Sequence, residues 1–221
     1  MIEKSSELHQ EKLINSHQWD ILFIFDACRY DYFKLVYSKF FYALDLNFTG
    51  SLKKVISPAS GTLEWCSNVF TKSNYKDIIY VSSNPFVNSK GYSTRSQKGN
   101  ILSFYPKDRF YQVIDVWDFG WNNQLNTVPP NEVNKVLLEI IKKYPNKRFI
   151  IHYLQPHAPY LYFIKLGFRQ YSGFERKNRV EKFPFKKILG RMLTKLGEVP
   201  YIPKYCVLKA RLFLGLEFNP L

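Results

Sequence analysis

Three residues with chemistry to offer stand at conspicuous places in the chain. Asp26 follows the apolar run ILFIF in ILFIFDACRYDYF, Thr62 follows the turn-rich SPASG, and His157 lies between two prolines in QPHAPY. A carboxylate, a hydroxyl and an imidazole are the types that handle phosphate or sulfate esters. The carboxylate holds a divalent cation, and the cation lowers the effective pKa of the hydroxyl nucleophile. A helix N-terminus at the hydroxyl adds amide donors and partial positive charge for an anionic substrate. The histidine binds a substrate oxygen or stabilises the leaving group. Each also has a plainer reading, in which Asp26 or Thr62 simply caps a helix and His157 is a loop residue.

These side chains need a scaffold, and the hydrophobic pattern supplies one. WDILFIF reads as a short buried strand, KDIIYVSSNPF as a second and RFIIHYL as another, with YQVIDVWDF as a further candidate. CRYDYFKLVYSKFF, TLEWCSNVF and NEVNKVLLEIIKK carry apolar residues at helical spacing, the last opened by Pro129 and Pro130. Thr62 is expected at the N-cap of its helix. Residues 88–108 are polar and read as loop. Strands alternating with helices imply an α/β fold with a mostly parallel central sheet flanked by helices. Strands near 20–25, 78–82 and 148–154 should be neighbours, which brings Asp26, Thr62 and the QPHAPY loop to the carboxyl edge, where open α/β sheets bind ligands. Asn84, just past the second strand, is a substrate-binding candidate at the same edge. Arg29 and Asp31 read as a structural ion pair, His152 as an ordinary strand histidine, and Cys28 and Cys66 as small buried apolar groups.

In order and spacing these motifs resemble the sulfatase-like branch of the alkaline phosphatase superfamily. The resemblance rests on LFIFDACRYD, on TLEWCSNVFTK and on FIIHYLQPHAPY, over residues 19–160. It implies an alkaline-phosphatase-like sheet with Asp26 as a metal ligand. Thr62 becomes the nucleophile, also touching metal, nine residues before Thr71, with Lys72 where the family has Gly. His157 becomes a ligand of the transferred group. Threonine in place of Cys or Ser points away from a formylglycine sulfatase and towards phosphoryl or phosphoglycerol-type transfer, or phosphodiester hydrolysis. The implied cofactor is a divalent ion (Mg, Mn, Zn or Ca), and the implied partner an anionic phosphate or sulfate ester. The family's later Asp-His element has no counterpart, because no Asp follows Asp118 and no His follows His157. The expectation is therefore an amino-terminal part of such an enzyme, with the fold incomplete on its C-terminal side. The alternatives are a non-catalytic relative, or a basic protein that binds a membrane surface or nucleic acid.

Bulk properties bound these readings. The 221 residues are 46% hydrophobic and 18% aromatic, enough for one good-sized core and against disorder. Three widely spaced cysteines form no C-x-x-C pair, so neither a disulfide framework nor a zinc ribbon is expected. No apolar run reaches the ~20 residues of a membrane helix, and the polar first 18 residues lack a signal peptide's apolar segment. A cytoplasmic location, or one at the membrane's inner face, is the expectation. The net charge of +14 is concentrated late: residues 161–221 hold 13 Lys and Arg against four Glu. This basic extension is read as helical at FKKILGRMLTKL and KYCVLKARLFLGL, either packed on the core or lying on anionic membrane. Nucleic acid is not the expected partner, since no zinc finger, P-loop or RNA-binding aromatic motif is present.

Overall fold

The computed structural model describes residues 8–43, 50–72, 74–96, 99–165 and 212–215. A five-stranded sheet forms its centre, in the order β5 (Phe110–Asp115), β2 (Tyr75–Ser82), β6 (Arg148–Tyr153), β1 (Ile21–Phe25), β7 (Leu212–Gly215). The first four strands are mutually parallel, and β7 runs antiparallel to β1. The three strands expected as neighbours are neighbours: Leu22 pairs with Ile150, and Ile150 with Tyr80.

The uninterrupted apolar runs follow from burial on both faces. Leu22, Ile24, Ile78, Tyr80 and Ile150 point into one core layer, which α1 (Gln10–Ser16) and α3 (Thr62–Val69) close with Ile14, Trp65, Cys66 and Val69. Their strand neighbours Phe23, Ile79, Val81, Phe149 and Ile151 point into the other, closed by Val116 of α5 (Val116–Phe119) and Val133 and Ile140 of α6 (Pro130–Lys143). At the centre of the first layer the Phe70 ring meets those of Trp65, Tyr75, Tyr80, Phe104 and Phe110, at centroid distances of 5.3–6.3 Å.

Four local expectations need correction. The strand at YQVIDVWDF stops at Asp115, and VWDF turns into α5. The stretch 88–108 is not simply loop, because β3 (Tyr92–Arg95) and β4 (Ile101–Phe104) form an antiparallel hairpin, followed by the one-turn α4 (Pro106–Arg109). Its polar composition reflects a sheet with one exposed face. Tyr92, Thr94, Leu102 and Phe104 alternate to one side and Ser93, Arg95, Ile101 and Ser103 to the other. Within KYCVLKARLFLGL, Leu212–Gly215 is strand rather than helix: the apolar LFLG run finds an unpaired neighbour in β1, and pairing outweighs helical periodicity. The rest of that segment, and FKKILGRMLTKL, lie outside the described residues. Finally, the N-cap of α3 is Gly61, extended at φ −98° and ψ 148°, with its carbonyl accepting the Trp65 N–H at 2.9 Å; Thr62 is the first helical residue. Among the described residues, no helix is long and apolar enough to cross a membrane.

Gly91 controls how the chain enters the hairpin. Its φ is +80°, and a β-carbon there would lie 2.1 Å from Cδ1 of Tyr105. Gly91→Ala therefore meets both a left-handed backbone and a ring. We expect it to cost about 1–3 kcal/mol in urea denaturation. An unchanged midpoint would show that Tyr105 swings aside and that the turn carries no constraint.

Candidate functional site

The carboxyl ends of β1, β2 and β6 and the start of α3 meet at one edge of the sheet, and Asp26, Thr62, Asn84 and His157 line a single cleft there of about 240 Å³. Asp26 leaves β1 through a tight turn in which the Cys28 N–H donates to the Phe25 carbonyl at 3.2 Å. Ala27, inside that turn, has φ 60°, an uncommon conformation for a residue with a β-carbon. The Asp26 N–H donates to the Tyr153 carbonyl at 3.1 Å, which ties the residue to the central strand β6. Its carboxyl is only 3% exposed. Asp26 is thus no helix cap, since α2 (Tyr30–Ala43) begins four residues later and the Phe33 N–H donates to the Arg29 carbonyl.

Two side chains donate to the same oxygen of Asp26. The Thr62 hydroxyl reaches Oδ2 at 3.2 Å, and the Asn84 amide reaches it at 2.7 Å. Thr62 is the first residue of α3, at the positive end of that helix. Asn84 is fully buried, and its Oδ1 accepts the Phe86 N–H at 2.9 Å. Both ends of this amide serve the protein, so Asn84 orients Asp26. His157 lies between two cis prolyl bonds, Gln155–Pro156 and Ala158–Pro159. Its Nδ1 is 2.7 Å from the Ala158 carbonyl. A carbonyl can only accept, so Nδ1 carries the proton and Nε2 is the nitrogen left for other chemistry.

His152 turns out to belong to the surroundings of the site. It is fully buried, with Nε2 3.9 Å from Asp26 Oδ2 and Nδ1 2.9 Å from the Tyr80 hydroxyl, which in turn lies 4.0 Å from the Cys66 sulfur. Ser83 secures the same strand end: its hydroxyl donates to the His152 carbonyl at 2.8 Å and accepts the Leu154 N–H at 2.8 Å. The sequence signal for His152 was its place on the strand that ends in the His157 loop. Without the register that sets Ile24 opposite His152, that signal does not point to Asp26.

Other named residues lie apart from the cleft. Arg29 and Asp31 form the expected ion pair, at 2.9 and 2.5 Å, with the guanidinium also 5.0 Å from the Tyr32 ring centre. The Arg29 hydrogen bond and charge hold the Asp31 carboxyl below its ordinary range. Burial, with a smaller push from Asp31, raises the Cys28 thiol to about 11, as suits a buried apolar group rather than a nucleophile. Thr71 is exposed beyond the far end of α3 and does not join Thr62.

The oxygen pair has the spacing of two ligands of one small cation. Asp26 Oδ2 and Thr62 Oγ1 are 3.2 Å apart. Neighbouring ligands of an octahedral Mg²⁺ with ~2.1 Å bonds are about 3 Å apart, so the pair suits one edge of a water-rich shell. Among the described residues, no group of three or more His, Cys, Asp or Glu is placed to hold a metal. No protein-family model, no curated protein and no solved structure matches the chain.

Proposed function

We propose that the cleft transfers or hydrolyses phosphate or sulfate esters, with Thr62 as nucleophile and a divalent ion held by Asp26 and Thr62. The observation that carries this reading is the meeting of the Thr62 hydroxyl with the Asp26 carboxylate, at the N-terminus of α3 and the carboxyl edge of a parallel sheet. A bound cation would supply positive charge that favours the threonine alkoxide and offsets the charge of the ester. Asn84 fixes the Asp26 carboxylate, and Asp26 fixes the Thr62 hydroxyl by accepting its proton in a hydrogen bond. As its proton passed to solvent, Oγ1 would attack the ester's phosphorus or sulfur and the alcohol would depart, with the start of α3 supplying partial positive charge for the ester's negative oxygens. His157, with its Nδ1–H committed to the Ala158 carbonyl, would serve the transferred group or the departing oxygen as the imidazolium, in which Nε2 also carries a proton to donate. The alkaline-phosphatase-like fold belongs to the same proposal: the four parallel strands and two helical layers support it without singling it out.

A two-oxygen site should bind its cation weakly. The expected result is slow release of nitrophenolate from bis(4-nitrophenyl) phosphate, little beside that of a site with three or more protein ligands, at a rate that rises with Mg²⁺ or Mn²⁺ through the ~10⁻⁴–10⁻³ M range. Chelator and Asp26→Ala should each remove that release. Turnover indifferent to both would sink the metal-assisted reading.

A further inference from the structure

The cleft has a second half that ester chemistry does not require. Besides Asp26, Thr62, Asn84 and His157, it is lined by Phe86, Tyr92, Leu102 and Thr94. The last three share one face of the β3–β4 hairpin, whose other face is exposed. Phe86 and Tyr92 form a tilted aromatic pair, with centroids 4.8 Å apart and ring planes at 50°. This pair is anchored to the reactive residues by a short chain of bonds: the Phe86 N–H donates to Asn84 Oδ1, and the Asn84 amide donates to Asp26. Both rings are half-buried and remain part of the cleft wall.

We infer that Phe86 and Tyr92 form a shelf that selects esters whose alcohol side carries one six-membered ring. The inference rests on the ester-transfer reading of Thr62 and adds the substrate's shape to it. Aromatic faces attract rings, aryl or sugar, through extended contact, whereas a linear alcohol leaves them partly bare. Thr94 adds a hydroxyl at the same wall, which suits a ring with a polar edge. Size limits the guest. The cleft, about 240 Å³ and open to solvent on one side, has room for one ring against this wall. The hairpin pairs with no strand of the central sheet, so its sequence can set this wall without disturbing the strands that carry Asp26 and Asn84.

The test is calorimetric binding, with Mg²⁺ present, of phenyl phosphate, glucose 1-phosphate, glycerol 1-phosphate and inorganic phosphate. At least one ring ester should bind about tenfold more tightly than the glycerol ester, a factor typical of one aromatic stacking contact. A preference for phenyl phosphate alone identifies an aryl guest, and one that includes glucose 1-phosphate a sugar. Tyr92→Leu keeps the apolar volume and should bring the ring esters down to the affinity of the glycerol ester, while Tyr92→Phe should retain the preference. Equal binding of all three esters by the native protein overturns the shelf and leaves the anion site standing. Ring preference that survives Tyr92→Leu also overturns it. Failure to bind even inorganic phosphate brings down the ester reading, and the shelf with it.

Discussion

Thr62→Ala should lower metal-stimulated phosphodiester turnover by at least about a thousandfold, because removing a nucleophile leaves only the residual catalysis of binding and electrostatics. Thr62→Ser keeps an oxygen at the first residue of α3 and should stay within about tenfold of the native rate. The contrast separates chemistry from architecture. Thr62 makes a hydrogen bond to a carboxylate, and its loss is worth about 1.5–3 kcal/mol, but Gly61 rather than Thr62 caps the helix. The alanine variant should therefore remain folded, with a lowered melting temperature, while losing turnover. Turnover that survives would reduce Thr62 to a structural partner of Asp26. Loss in both variants would mean that the methyl group and hydroxyl together shape the cleft.

The largest effect on stability is expected at Phe70. Its ring is 1% exposed and touches five other aromatic rings, drawn from α3, β2, β4 and β5. Truncation to alanine should cost about 3–5 kcal/mol, by lost transfer free energy and by the cavity left among rings that cannot collapse into it. That is a large share of the ~5–15 kcal/mol that holds an ordinary domain together. The backbone beside the ring adds to this: the Phe70 carbonyl accepts a hydrogen bond from Nη1 of Arg109, and the Val69 carbonyl accepts one from the Asn15 amide at 2.9 Å. Phe70→Leu, which refills most of the volume, should recover more than half of the loss. A urea midpoint nearly unchanged in Phe70→Ala would show that the aromatic cluster is loosely packed.

How much of this could be read from the chain depended on distance along it. Asp26, Thr62, Asn84 and His157 stood out because local signals placed each at the end of an element: a continuous apolar strand, a helix start after turn residues, a Ser-Asn-Pro loop, a pair of prolines. The parallel sheet was legible for the same reason, since buried strands and amphipathic helices alternate. What stayed hidden depended on pairing between remote segments. His152 becomes a neighbour of Asp26 only when β6 docks beside β1. The LFLG stretch is a strand because it pairs with the edge of β1, although KYCVLKARLFLGL as a whole has apolar residues at helical spacing. The hairpin escaped because one of its faces is solvated and its residues look like loop. The bond from Asn84 to Asp26 was not legible either, because only the folded chain shows which group its amide meets.

The strand order has a consequence for how this protein is made. β6 lies between β1 and β2, yet follows both in the chain. At ~5–20 residues per second, a ribosome takes roughly 6–24 s to travel from Asp26 to Arg148. During that interval β1 and β2 have been synthesised without the strand that joins them, and each presents an open apolar edge to other chains. Sheet closure of this kind, between remote segments, is slow relative to helix formation. The nascent chain should thus need shielding until residue 153 emerges to join β1 to β2, and the outer edge of β1 stays open until Leu212–Gly215 pairs with it; slowing synthesis by lowering the growth temperature lengthens the exposure even as it weakens apolar aggregation. The edge that carries Asp26 is completed when β6 arrives, because the strand that fills the gap also brings the carbonyl of Tyr153 to the Asp26 N–H.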